Sequence, residues 1–213
     1  MEEKKVTKTG TTTVGIVCKD GIVLAADKRA TMGNFIAGKN VDKIFQIDDT
    51  IGITIAGMVS DAQLLVKLIK AELRLKKFRT DVSISMKEAS NLVASFAYSN
   101  IRKMSMVPGV VGFVVGGKDS EGYHLYNIDV AGGITPEEDY TADGSGSVFA
   151  YGVFETMYKK GMTVEEGMKL AVKAINAALQ RDSASGSGID VVTVTDKGYR
   201  KMMTKEVETK LEA

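Results

Sequence analysis

The side chains that most often carry nucleophilic catalysis are scarce in this chain. Its 213 residues hold one cysteine and one histidine. A Ser-His-Asp or Cys-His arrangement needs an imidazole as base, and the single candidate, His124, sits between Tyr123 and Leu125 in a strand-like pattern, where it reads as structural. Cys18 closes an alternating strand pattern and has no imidazole partner, so it reads as a small buried hydrophobe. One Cys and one His make neither an internal disulfide nor the ligand set of a structural zinc site, and no metal or cofactor is expected. Gly144-Ser145-Gly146-Ser147 runs into Val148-Phe149 without the lysine of a phosphate loop, and reads as a tight entry to a helix.

A threonine remains. Gly10-Thr11-Thr12-Thr13-Val14-Gly15 follows a short polar segment and opens the first strand, so cleavage after Gly10 would place Thr11 at a new N-terminus. An α-amine has a pKa of about 7.7 to 8.0, against about 10.4 for a lysine, so roughly a tenth of it is unprotonated at neutral pH. A terminal threonine thereby carries a hydroxyl nucleophile and a usable general base in one residue. Spacing alone leaves a plainer reading open, in which Thr11 to Thr13 are β-forming residues on a strand.

The elements that must position these residues fall into batches. Val14, Ile16 and Cys18 alternate, Asp20-Gly21 turns, and Ile22 to Ala26 is apolar enough to be covered on both faces, which predicts an opening hairpin. Further strand-like runs cover 43–47, 51–56, 110–116, 123–129, 189–195 and 199–203. Ala62, Leu65, Val66, Ile69 and Leu73 recur at helical spacing behind Ser60 and Gln63, a capping-box pattern. Ser85 with Glu88 opens a second helix striped by Ala89, Leu92, Phe96 and Ile101. A third is expected over Val148 to Lys160, ended by Gly161. Thr163 with Glu166 caps a fourth that carries Met168, Ala171, Val172, Ile175 and Leu179. Two sheets face to face, each covered by a helix pair, would satisfy every apolar face, so an α/β (α+β) fold built as a four-layer α/β/β/α sandwich is expected. The tail, 204–213, reads as a short charged helix.

Composition narrows the function classes. The chain has 28 basic and 27 acidic side chains, a net charge of +1, so it lacks the field that gathers nucleic acid or anionic membranes. Its longest apolar run, 109–117, is far below the roughly 20 residues that span a bilayer. The first ten residues carry both charges and no secretory core. A cytoplasmic protein is expected, with no nucleic-acid or membrane partner.

Thr11 to Gly15, Ala26-Asp27-Lys28-Arg29-Ala30-Thr31, Lys43-Ile44-Phe45, Ile55-Ala56-Gly57, Gly144 to Ser147 and Arg181-Asp182-Ser183-Ala184-Ser185-Gly186 occur in order. Together they resemble the catalytic β subunits of 20S proteasomes, the archaeal type above all, from Thr11 to about Met203. The resemblance implies the N-terminal-nucleophile hydrolase fold, which agrees with the sandwich reached from patterning. It also implies a propeptide over 1–10, removed autocatalytically at Gly10-Thr11, and one β-type domain over 11–213.

The same resemblance assigns roles. Thr11 would be the nucleophile of a threonine endopeptidase. Lys43 would lower the pKa of the Thr11 amine and steady developing negative charge, held by Asp27 with Arg29 next in the network. Ser145, Asp182 and Ser185 would bond around the amine, and the Gly57 N–H would serve the oxyanion. Thr31 would flank an extended substrate, and Ala30, Val41, Ile55 and Val59, with Gln63 at the rim, would shape an apolar first pocket that favours cleavage after hydrophobic residues. Asp143 departs from the family, whose members commonly carry a small polar residue there. The implied partners are α subunits, homo-heptameric β rings in a four-ring α7β7β7α7 barrel, an ATPase unfoldase at the α rings, and unfolded protein substrates. The alternatives are a simpler bacterial two-ring protease, which the Arg181 to Gly186 run disfavours, and a non-catalytic ring subunit, which intact Thr11, Asp27 and Lys43 disfavour.

Overall fold

The computed structural model describes residues 10–107 and 109–206. Strands β1 (Thr13–Cys18) and β2 (Gly21–Asp27) form the expected hairpin. They join β10 (Tyr140–Asp143), β11 (Gly188–Thr195) and β12 (Gly198–Glu206) in one antiparallel sheet of order β10-β1-β2-β11-β12. The second sheet, β5-β6-β7-β8-β9, contains β5 (Ile44–Asp48), β6 (Ile51–Gly57), β7 (Val111–Asp119), β8 (Gly122–Ile128) and β9 (Ile134–Glu137). A separate two-stranded ribbon pairs β3 (Ala30–Met32) with β4 (Phe35–Gly38).

The four layers follow from three apolar clusters. Ile53, Ile55, Phe113 and Val115 pack under α1 (Val59–Thr80) and α2 (Met86–Ile101). Val14, Ile16, Val23 and Val191 pack under α3 (Ser147–Met157) and α4 (Val164–Arg181). Ile22, Leu24, Ala26, Val114, Val192 and Val194 fill the space between the sheets. Each sheet is therefore apolar on both faces, which is why β2 and β7 read as continuous hydrophobic runs rather than alternating ones.

The five residues of the expected α1 stripe are the buried residues of that helix. Its cap is a correction. The N-cap is Met58 without a side-chain bond, and Ser60 Oγ turns to Asp61 instead, because the helix already begins at Val59. Ser85 with Glu88 and Thr163 with Glu166 do form capping boxes. In α2 the deepest face is Ala89, Val93, Ala94 and Ala97, with Leu92 and Phe96 on its flank. Helix α3 stops at Met157 because Tyr158 turns extended, three residues before Gly161. The tail expectation is overturned over 204–206, which belong to β12, paired with β11. The rest of that tail, and the leader up to residue 9, lie outside the described residues.

Candidate active site

Thr11 lies two residues before β1, at the edge where β10 runs into the Gly144–Gly146 turn. It is buried, as are Thr12 and Thr13. The turn hugs it: the Gly146 N–H reaches the Thr11 carbonyl at 3.4 Å, and Gly144 sits at φ +93°. A Cβ on Gly144 would stand 2.1 Å from that carbonyl oxygen. Glycine is required there by both conformation and space. The turn thereby brings Ser145 Oγ to 3.3 Å from the Thr11 backbone nitrogen.

Two carboxylates brace this segment. Asp182, the C-cap residue of α4, accepts Ser145 Oγ–H and Ser185 Oγ–H on its Oδ2, each at 2.6 Å. With its proton committed there, Ser185 Oγ receives the Thr12 hydroxyl at 2.7 Å. Asp27, at the end of β2, takes four donors. Its Oδ1 accepts Lys43 Nζ at 2.6 Å and Thr12 N–H at 2.9 Å, and its Oδ2 accepts Gly186 N–H at 2.9 Å and Arg29 N–H at 3.1 Å. These fill the acceptor sites of an ionised carboxylate.

Lys43 and Asp27 are almost wholly shielded, with side-chain exposures of 1% and 0%. Burial pulls the Lys43 ammonium below its usual pKa, and the Asp27 charge and hydrogen bond oppose that fall. Asp182 acts in the same sense as Asp27, and Arg29 in the opposite one. The Arg29 guanidinium does not reach Asp27. It bonds Ser187 Oγ at 3.5 Å and the Ser183 carbonyl at 3.2 Å, lying over Gly186. Asp143, the departure noted above, has its carboxyl pushed up by burial, although Gly144 N–H donates to it at 2.7 Å.

Thr11, Asp27, Lys43, Ser145, Asp182 and Ser185 are thus gathered into one hydrogen-bonded cluster. Gly57, Val59 and Gln63 stand outside it. Gly57 ends β6 at φ +118°, where a Cβ would lie 2.1 Å from the Val110 carbonyl oxygen. Ala30 and Val41 meet around Gly38, whose Cβ position is 3.8 Å from Ala30 Cβ and 3.0 Å from Val41 Cγ2. Ile55 N–H bonds the Lys43 carbonyl at 2.9 Å, and its side chain is buried beneath α1. Thr31 Oγ1 accepts the Gly10 N–H at 3.0 Å.

Sequence reasoning missed Thr12, whose N–H bonds Asp27 and whose hydroxyl reaches Asp182 through Ser185. It also missed the Gly186 N–H as the second anchor of Asp27. The available signal was position: Thr12 adjoins Thr11, and Gly186 closes the run that carries Asp182 and Ser185. Among the described residues, no group of three or more His, Cys, Asp or Glu is arranged to hold a metal ion, and no helix is long and apolar enough to cross a membrane.

Two five-stranded sheets between helix pairs, with a threonine entering the first strand, define an α+β sandwich of the N-terminal-nucleophile hydrolase type. The family described as "Proteasome subunit" matches residues 7–194. "Proteasome subunit beta" of Methanohalophilus mahii is 50% identical over 203 residues, 95% of each chain. Its counterpart in Methanosarcina thermophila is 47% identical over 201 residues, 94% of each chain. That of Methanopyrus kandleri is 48% identical over 200 residues, 93% of this chain and 94% of the relative. The chain belongs to the proteasome subunit family, within its archaeal β type.

Proposed function

We propose that this chain is a threonine endopeptidase that cleaves unfolded polypeptides inside a proteasome core particle. The observation that carries the reading is the shared oxygen Asp27 Oδ1, which holds Lys43 Nζ at 2.6 Å and Thr12 N–H at 2.9 Å. It puts a buried cation next to the residue that follows Thr11.

Activation is the first reaction. Thr11 Oγ–H bonds the Gly10 carbonyl oxygen at 2.6 Å, so nucleophile and scissile peptide are already in contact. Oγ adds to the Gly10 carbonyl carbon, the C–N bond breaks, and the proton passes to nitrogen. The products are a free α-amine on Thr11 and a Gly10 ester on its oxygen. Water then splits the ester and releases residues 1–10. Before this step the Thr11 nitrogen is an amide without basicity, so activation and cleavage coincide.

In substrate hydrolysis the neutral amine takes the Thr11 Oγ proton as oxygen attacks the scissile carbonyl. The Lys43 ammonium favours the neutral amine, and the Gly57 N–H serves the oxyanion. Ser145 and Ser185, both bonded to Asp182, receive and return the amine's proton. Thr31 and the backbone near Gly57 hold the substrate as an added antiparallel strand, which reads main chain rather than sequence. The pocket of Ala30, Val41, Ile55 and Val59 carries no charge, so chymotrypsin-like cleavage follows. The chain works in the cytoplasm in homo-heptameric β rings, stacked as α7β7β7α7 and fed by an ATPase unfoldase.

Thr11→Ala tests this reading. In assembled particles it should retain residues 1–10 and lose hydrolysis of short fluorogenic peptides. Undiminished hydrolysis would overturn the mechanism and favour a non-catalytic subunit with activity elsewhere. Faster cutting after Arg or Asp than after Phe or Leu would overturn the pocket assignment.

A further inference from the structure

A second buried ion pair lies behind the site, and the mechanism above makes no use of it. Lys28 and Asp190 are 2% and 3% exposed, and Lys28 Nζ stands 3.3 Å from Asp190 Oδ2 and 3.4 Å from Oδ1. Asp190 is the lone charge on β11, and two further groups come to its Oδ1 from β12: Thr204 Oγ1 at 2.8 Å and Lys201 Nζ at 3.4 Å. Two opposite charges in so dry a place add little net stability over an apolar pair, because desolvation offsets their attraction. Geometric fixing is the better-founded use of such a pair.

The geometry shows what is fixed. Lys28 directly follows Asp27, and its backbone N–H bonds the Gly186 carbonyl at 3.1 Å. Gly186 in turn sends its own N–H to Asp27 Oδ2 at 2.9 Å. Beyond it, Ser187 lies at φ +66° and Gly188 at φ +147°, and the Lys28 stem runs beneath them: a Cβ on Gly188 would come 3.1 Å from Lys28 Cδ. Backbone conformations this sparsely populated persist only where surrounding contacts enforce them. Here the β12 backbone bounds the turn on one side, with the Lys205 carbonyl nearest Gly188, and a lysine stem anchored by Asp190 bounds it from beneath.

We propose that Lys28 and Asp190 are positioning residues for peptide hydrolysis: their ion pair clamps the Gly186–Gly188 turn so that Gly186 keeps its hydrogen bond to Asp27, and Asp27 thereby keeps Lys43 in place. The proposal rests on the threonine-hydrolase reading and adds a second layer to it. Without the clamp the Gly186 bond lengthens, Asp27 gains freedom, and its hold on the Lys43 ammonium weakens. The charged groups that act on Lys43 are Asp27 from β2, Asp182 beyond α4, and Arg29. Asp182 and Arg29 act in opposite senses, so the Asp27 contact is the one whose loss is felt.

The test compares wild type, Asp190→Asn, Lys28→Met and Lys28→Arg in assembled particles, with competent Thr11 sites counted by a covalent peptide boronate. For Asp190→Asn and Lys28→Met the expectation is a kcat per competent site lower by on the order of 10-fold, with KM changed by less than about 2-fold. The alkaline limb of kcat should move to lower pH, because a less firmly held Lys43 loses its charge earlier. Lys28→Arg, which preserves the pairing, should restore both kcat and the limb. A merely structural pair would reduce the number of competent sites and leave kcat per site and the pH limb unchanged; that result overturns the proposal. Should Asp190→Asn fail to assemble, Thr204→Val removes one bond to Asp190 from the exposed side, and an unmoved limb in both Thr204→Val and Lys28→Met refutes it equally. A wild type without peptidase activity would instead overturn the function proposed above.

Discussion

The contact between Gly10 and Ala184 offers a direct way to separate self-cleavage from peptide hydrolysis. A Cβ on Gly10 would lie 1.7 Å from Ala184 Cβ, 2.7 Å from its Cα and 2.9 Å from its carbonyl carbon. Ordinary carbon contacts need about 3.5 to 4.0 Å, so Gly10→Ala must displace the junction or the Ala184 loop by roughly 2 Å. The Thr11 hydroxyl now sits 2.6 Å from the Gly10 carbonyl oxygen, and misplacement of reacting groups by about 1 Å costs on the order of 100-fold in rate. Self-cleavage in Gly10→Ala should therefore slow by at least that factor. Mass spectrometry of particles at timed intervals after assembly reads the fraction still carrying residues 1–10. Adding Ala184→Gly removes the 1.7 Å contact but leaves the 2.7 Å approach to Cα, so the double variant should recover only part of the rate. A third chain that starts at Thr11 should hydrolyse peptides at the wild-type rate, because Gly10 has no part in the mature site. Wild-type processing in Gly10→Ala would refute the reasoning, since the nucleophile would then tolerate a junction displaced by half an atom's width or more.

Further outcomes follow from the same geometry. Lys43→Met leaves Asp27 buried without its cation, so particles should lose about 3 to 5 kcal/mol of subunit stability in denaturant titration and at least 100-fold in peptide hydrolysis. Because burial holds Lys43 below its usual pKa, its effects on activity and stability have opposite signs with pH. Between its lowered folded value and the ordinary value of about 10.4, the unfolded chain binds the proton and the folded one does not, so this group's contribution to stability rises with pH while activity falls. Parallel melting and kinetic pH series would show the divergence, and a joint fall in the wild type that Lys43→Met also shows would exclude Lys43 as its source. Thr163→Ala removes a capping box at the far end of α4, about 28 Å from Asp182 along the helix. It should cost about 1 kcal/mol and leave kcat unchanged.

The fold was most legible where periodicity was strong. Helix α1 announced its buried face residue for residue, and the central strands announced themselves as apolar runs because each sheet is covered on both sides. The short strands were not legible. β3, β4, β9 and β10 have three or four residues each and mix polar and apolar side chains, too short for alternation to show; β3 pairs with β4 and β9 with β8 across short loops, and β10 alone pairs with a strand distant in sequence, β1. β10 matters most among them, since its pairing of Asp143 with Thr13 sets the Gly144 turn against Thr11. Ser60 and Gln63 had the right spacing for a capping box, but the helix is capped two residues earlier, at Met58, and spacing carries no information about where a helix starts in three dimensions.

The site divided along the same line. Thr11 stood out from chemistry as a candidate once imidazole and thiol partners were discounted, with the plainer β-forming reading still open, and the family likeness chose between the two. Asp27, Lys43, Ser145, Asp182 and Ser185 came from a family likeness, because no local pattern links residues 27, 43, 145 and 182. Backbone donors such as Gly186 N–H leave no trace in side-chain identity at all. The Lys28 pair left only half a trace: Asp190 is a single charge within a strand pattern, whereas Lys28 sits in the charged run 27–29 that follows β2, and nothing in the sequence links the two.

The nesting of Gly10 against Ala184 bears on what happens to the leader after it is cut. On the proposed mechanism the released leader ends in a glycine, with no side chain to lodge in the proposed apolar pocket. It departs without acting as an inhibitor, and Thr31 Oγ1, vacated by the Gly10 amide, is free for the first incoming polypeptide. A larger residue at that position would hinder the enzyme's maturation and then, as a retained fragment, its work.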